Sequence, residues 1–365
     1  MNLLKTIFGT KDDPIKSVEE FWAWFQKNER AFYKVVKQNG DIENDFFNKL
    51  SPKLNELKDG FFYLNGMCND DTAELIITPD GAIKNIVFVE ELIHSAPRID
   101  GWRFTALKPA LDIKDVNVEM DGCRFHSGNI SFYSNDLPGY PDEIDITIVH
   151  NDLTNENRST IVNGTYIFLD NLLGEYNFVT TIDNLAIVRR DEAKKELVPI
   201  GKLKEFLIWR EKEFVEKYEG VRYHADHAHY AGLEAELENG NPLVAIINTG
   251  LLEWDSKASH PWILSIEVKY DGSDNRGMPD EAICRLLDEI ETSISDELKD
   301  FDGFLRVGRQ TANNCREIYF ACRDFRKPSK VLHKVKGDYI EQIDMDFDIY
   351  KDKYWQSFNR FKRRV

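Results

Sequence analysis

Apolar residues recur along this chain first at helical and then at strand spacing, and each change of period marks an element. Between residues 18 and 38, Phe21, Trp22, Phe25, Phe32, Val35 and Val36 share one helical face, and Ser17 with Glu20 has capping-box spacing. A stripe of aromatics at this spacing reads as core. A second helix is expected over 43–58 from Phe46, Phe47, Leu50, Leu54 and Leu57, with Pro52 able to split it into two turns. Strands over 60–67 and 72–78, turned by Asn69-Asp70-Asp71, precede a helix over 82–95 and a strand from Trp102 to Leu107.

The middle of the chain changes texture. Val116, Val118 and Met120 alternate with polar residues, as do Ile144, Ile146 and Ile148, which is the pattern of half-buried strands. A helix is predicted over 155–172 with Gly174 as a left-handed C-cap, then strands over 176–181 and 185–190. RRDEAKKELVP reads as a linker, and a helix over 200–218 follows it.

From Trp262 the pattern is clearest. Trp262, Leu264, Ile266 and Val268 alternate with Ile263, Ser265, Glu267 and Lys269, a strand. Pro279 suits a first helical turn, and Asp280 and Glu281 complement the positive end of a helix carrying Ile283, Leu286, Leu287, Ile290, Ile294 and Leu298. Strands over 303–309 and 315–322 around QTANN form a hairpin, Pro328 opens a second helix, and Ile343, Met345 and Phe347 mark a last strand. This β-α-β-β-α-β order is the ferredoxin-like one, and residues 1–110 repeat it without the leading strand. The expected fold is α+β in tandem α/β-sandwich modules: 1–110, 111–198, and 199–365, the last being a linker helix plus a ferredoxin-like module.

Charge then narrows the function. Lys and Arg number 47 against 64 Asp and Glu, a net charge of −17 with a pI near 5.0. That sign opposes a phosphate backbone, so general nucleic-acid binding is not expected, and a basic protein partner suits the field better. The five cysteines lack CxxC spacing, which points to free thiols in a reducing, cytoplasmic setting. No apolar run approaches the roughly 18 residues of a membrane span. Leu3, Leu4, Ile7 and Phe8 could form a brief turn resting on a membrane, against a docked terminus.

Two residue groups are candidates for a site. His224, Asp226, His227 and His229 in RYHADHAHY are the densest run of metal-ligand types, although their spacing of i, i+3 and i+5 is not the i, i+4 of a helical metal pair. An exposed polar loop is the competing account. Asp344, Asp346 and Asp348 alternate with apolar residues and would stand about 6.8 Å apart on one strand face. They offer a cation or basic-partner site, or a solvated face that blocks edge pairing. Arg306, Arg309 and Arg316 could bind an anion or pair with nearby acids. GxSxG, Walker A, GxGxxG and HExxH are all missing from the sequence, and no cofactor is called for. The expected function is a non-enzymatic regulatory or protein-binding module with an acidic surface. The alternative is a metal-dependent hydrolase centred on the histidine run.

PWILSIEVKY at 261–270, GMPDEA at 277–282, GFLRVGRQTANNCREIYFAC at 303–322 and DKYW at 352–355 carry a family likeness. On these motifs residues 262–355 resemble the bacterial domain-of-unknown-function family 695. FWAWF at 21–25 and LDNLLGE at 169–175 look like its longer members. The family has no assigned catalytic residues, so the resemblance implies a module and no chemistry. In fold and charge alone, the second half of this module is also similar in kind to the regulator-of-ribonuclease-E family, whose members are small acidic ferredoxin-like inhibitors.

Overall fold

Ser17 starts the first helix in the computed structural model, which describes residues 14–223 and 229–362. Its hydroxyl accepts from the Glu20 amide at 3.3 Å, while the Glu20 carboxylate takes the Lys16 amide at 2.7 Å. Helix α1 (Val18–Lys37) buries Phe21, Trp22, Phe25, Phe32 and Val36, the face expected from spacing. Pro52 does not split the next helix. The irregularity lies ahead of it, as a π-helical stretch Glu43–Phe47 running into α2 (Asn48–Leu57). Strands β1 (Phe62–Asn69) and β2 (Thr72–Thr78) pair antiparallel, and after α3 (Ile83–His94) strand β3 (Trp102–Ala106) pairs parallel with β2. These elements form one compact unit, ending at Pro109.

A second unit runs from Ala110. It opens with the short hairpin β4 (Val118–Met120) and β5 (Cys123–Phe125). Strands β6 (Ile130–Asn135) and β7 (Asp145–His150) then pair antiparallel. Helix α4 (Arg158–Leu173) ends at Gly174, whose φ of 78° is positive but whose ψ of 147° is extended, so the glycine turns the chain without forming the left-handed cap expected of it. Past that glycine the expected strand over 176–181 is a helix, α5 (Glu175–Thr181). Its β-branched Val179, Thr180 and Thr181 suggested a strand, but Phe178 packs on the same core as α4 and meets Tyr166, so packing overrides propensity. Strand β8 (Asn184–Arg189) joins β7 in parallel. The charged segment read as a linker carries β9 (Val198–Pro199), which pairs with β6 and gives a sheet of order β8-β7-β6-β9. Helix α6 (Leu203–Tyr218) drives Leu203 and Leu207 into that same core.

The rest of this unit is one six-stranded sheet, ordered β10-β11-β13-β14-β12-β15. Its first hairpin, β10 (Tyr230–Glu236) and β11 (Pro242–Asn248), was not among the predicted strands, although PLVAIIN after an Asn-Gly pair is a strand signal. A single turn, α7 (Thr249–Leu252), leads to β12 (Trp262–Lys269), α8 (Glu281–Glu297), β13 (Phe304–Ala312), β14 (Cys315–Cys322), α9 (Arg326–Tyr339) and β15 (Asp344–Lys351). Asp280 caps α8 by accepting from the Ile283 amide at 2.8 Å. The β13–β14 turn is tighter than QTANN. Asn313 and Asn314 alone form it, both with positive φ, as a two-residue hairpin requires. Neighbours in the order β15-β12-β14-β13 are all antiparallel.

Candidate functional site

Strand alternation gives the C-terminal sheet two faces of opposite character. On the face carrying Ile266, Val268, Ile318 and Phe320, the arginines of β13 and β14 gather around helix α8. Glu291 is 4% exposed and accepts from Arg309 at 2.8 Å, from Arg316 at 3.1 Å and from Arg306. Asp288, one helical turn earlier, also accepts from Arg309 and Arg316, each at 3.1 Å. Arg316 is 5% exposed and turns its Nε to Thr311 Oγ1 at 3.2 Å.

Arg306 and Arg309 are three apart, so an unbroken strand would point them to opposite faces. A bulge between Arg306 and Gly308 supplies the extra residue that aims both at Glu291. Glycine is required there by close approach, since a Cβ at Gly308 would lie 2.4 Å from the Ile246 carbonyl oxygen. Beside this cluster a cavity of about 480 Å³ opens along α8, with Tyr230 and Ile246 of the β10–β11 hairpin on its far side. The three arginines are thus engaged by carboxylates of their own module, the ion-pairing account of the two weighed above.

The opposite face is divided. One half is covered by Leu251, Leu252, Trp355, Phe358 and Phe361 over Ile263, Leu305 and Tyr319. The other half is open and acidic. In register, Glu317 of β14 faces Glu267 of β12, and Glu267 faces Asp346 of β15. Three carboxylates therefore stand in a row across three neighbouring strands, about 5 Å between opposed Cβ atoms. Gln310 donates to Glu317 at 2.6 Å, and Lys336 pairs with Asp346 at 3.1 Å. Asp344 and Asp348 stand exposed on either side of Asp346, opposite Lys269 and Ser265. The Cys315 thiol, pushed up to about 11 by burial and then by Glu317 and Glu267, registers the negative field of the row. The structure thus places Asp344, Asp346 and Asp348 on one face, as alternation implied. It adds Glu267 and Glu317, which only the strand register could reveal.

The DKYW motif has a different task. Lys353 is 2% exposed and donates to Asp183 at 2.8 Å and to the Asp142 carbonyl at 2.6 Å. Tyr354 donates to Asp142 at 2.6 Å, where Tyr218 and Lys217 also converge at 2.7 and 2.6 Å. Burial alone would raise the Asp142 carboxyl, but these hydrogen bonds hold it below the ordinary carboxylate range. Trp355, with φ of 55°, donates its indole to the carbonyl of His260 at 2.9 Å. Lys353 and Tyr354 thus join the end of the six-stranded sheet to Asp142 and Asp183, which flank β7 and β8, and to the end of α6, so their part is structural.

Of the histidine run, His224, Asp226 and His227 lie outside the described residues. His229 is exposed, and its carbonyl accepts from the Thr249 amide and hydroxyl at 2.7 and 2.9 Å. Among the described residues no group of three or more His, Cys, Asp or Glu is arranged to hold a metal ion. None of their helices is long and apolar enough to cross a membrane.

The chain is therefore an α+β protein whose second unit ends in an extended β-α-β-β-α-β sheet. Residues 236–361 match the model of a family described as Family of unknown function (DUF695). The match begins where β10 ends, so it takes in β11, the arginine cluster, the carboxylate row and DKYW. No curated protein and no solved structure matches the chain.

Proposed function

We propose that this protein is a non-enzymatic binding module, acting in a reducing cytoplasmic setting, whose ferredoxin-like sheet presents its open acidic face to a basic protein partner. The observation that carries the reading is the row Glu317–Glu267–Asp346. Like charges set directly opposite one another on neighbouring strands destabilise a sheet. A row of them, flanked by exposed Asp344 and Asp348, is relieved by Lys or Arg side chains brought by a partner. Complementary charge of this kind steers encounter and selects the partner more than it sets affinity.

Affinity capture from native lysate at low salt, with wild type beside the triple variant Glu267→Gln, Asp346→Asn, Asp348→Asn, tests the proposal. Wild type should retain a basic protein that salt releases, and the variant should not. Equal retention by both, or no salt-sensitive partner for either, removes the acidic face from the account.

A further inference from the structure

Helix α6 is apolar on more sides than its own unit covers. Leu203 and Leu207 enter the core, Phe206 meets Phe132, and Phe214 lies 4.5 Å from the Lys353 ammonium. Arg210, Lys217 and Tyr218 bond to residues 141–143. Yet Ile208 and Val215 are 61% and 57% exposed, and a spacing of seven sets them on one stripe. A groove of about 460 Å³ runs beside that stripe, with Leu173, Asn177 and Thr181 of α4 and α5 as its other wall. Large apolar side chains left exposed together beside a groove mark a place where another surface can pack.

The charges along the stripe indicate what buries it. Lys204, Glu211, Lys212 and Glu219 are all exposed, and they punctuate Ile208 and Val215 in a self-complementary order. We propose that α6 docks antiparallel against α6 of a second copy of this chain, about a twofold axis passing between Glu211 and Lys212. In that register Ile208 meets Val215 of the second copy, Lys204 meets Glu219, and Glu211 meets Lys212. Each contact occurs twice, as an isologous interface demands. Moving the axis half a residue either way sets Glu211 against Glu211 or Lys212 against Lys212, so the charges select one register. The Lys212–Glu216 pair within the helix, 3.7 Å apart and exposed on both partners, is weak and leaves Lys212 free to serve the contact. This interface is separate from the acidic sheet face, and either can fail without the other.

Sedimentation equilibrium of the full-length protein, over about 1 to about 100 μM, reads the association directly. Wild type should show a monomer–dimer equilibrium in that range. Ile208→Asp should weaken it by at least about 30-fold, the scale of a central interface truncation, with an unchanged urea midpoint at concentrations low enough that both proteins are monomeric, because Ile208 is exposed in the single chain. Glu211→Lys should also weaken it, by facing two lysines across the axis. Adding Lys212→Glu to Glu211→Lys should restore it through the exchanged pair. A monomer at every concentration, or a dimer indifferent to Ile208→Asp, overturns the proposal. So does a double variant that stays as weak as Glu211→Lys alone.

Discussion

Arg316 and Glu317 are consecutive on β14 and point to opposite faces of one sheet, where their charges meet opposite fates. Arg316 is buried, shares Glu291 with Arg306 and Arg309, and shares Asp288 with Arg309. Glu317 looks onto a row of its own sign. A charge taken out of water holds its place only when partners replace the water, and the face under α8 supplies those partners from its own helix. On the open face Gln310 bonds Glu317 and Lys336 pairs with Asp346, but an exposed pair of that kind contributes little against the neighbouring like charges. The contrast ties the first face to stability and leaves the second open for the recognition proposed above, and each reading can be broken separately.

The largest effect should come from Glu291. Glu291→Ala leaves Arg316 buried with Asp288 as its remaining carboxylate and Arg306 without the acceptor it has now. Removing one member of a buried ionic group costs about 3–5 kcal/mol. Urea unfolding at constant m-value measures the loss. A cost below about 1 kcal/mol would mean that water reaches the arginines and that this face is less closed than its geometry shows.

The covered half of the opposite face comes next. His260, beneath Trp254 and Trp355, is 1% exposed, and burial, followed by the charge of Arg323, pushes its imidazole down to about 3. The folded pKa thus lies below the unfolded value near 6.5, so the neutral ring contributes stability that is complete above pH 6.5. As the pH falls from there the unfolded chain takes up a proton that the folded one refuses until about 3. Stability should drop by about 1.4 kcal/mol per pH unit within that window through this group alone. The difference in urea stability between wild type and His260→Gln, followed from pH 7.5 to about 5, isolates the effect from the carboxylates. A difference that stays flat with pH would show that His260 charges freely in the folded state.

These contrasts were unequally legible in the sequence. Alternation placed Trp262, Leu264, Ile266 and Val268 on one face, and the acidic opening of α8 and the order of its neighbours followed from local chemistry, although Pro279 lies ahead of the Asp280 cap and not in the first helical turn. The same reading saw the first unit as that order without its leading strand, and the sheets agree with it: β12 lies between β14 and β15, whereas β2 and β3, with no strand between them, pair directly in parallel. What stayed hidden was whatever depends on register or on bulges. The meeting of Glu267 with Glu317 and Asp346 is fixed by which residues pair across strands. The convergence of Arg306 and Arg309 is fixed by one extra residue, Val307, between Arg306 and Gly308. That glycine inside a strand was the available signal, and its meaning emerges only beside Ile246. The strand expected over 176–181 failed for a related reason, because Phe178 packs on a core assembled from distant segments. The histidine run falls largely outside the described residues.

The smallest expected effect discriminates most sharply between the two faces, because its sign is unusual. Glu267 is exposed, stands between two like charges, and gives its strand partners nothing that glutamine would not. Glu267→Gln should therefore stabilise the protein, by about 0.2–1 kcal/mol at low ionic strength. The gain should fade as salt rises, because exposed charges about 5 Å apart are progressively screened as the Debye length shrinks toward that distance. Thermal or urea unfolding at low and high salt, with Glu291→Gln as the comparison, gives the two signs side by side: a loss under α8 that salt barely alters, and a gain on the open face that salt removes. If Glu267→Gln destabilised instead, the carboxylate would be holding the sheet together, and the reason for assigning that face to a partner would disappear.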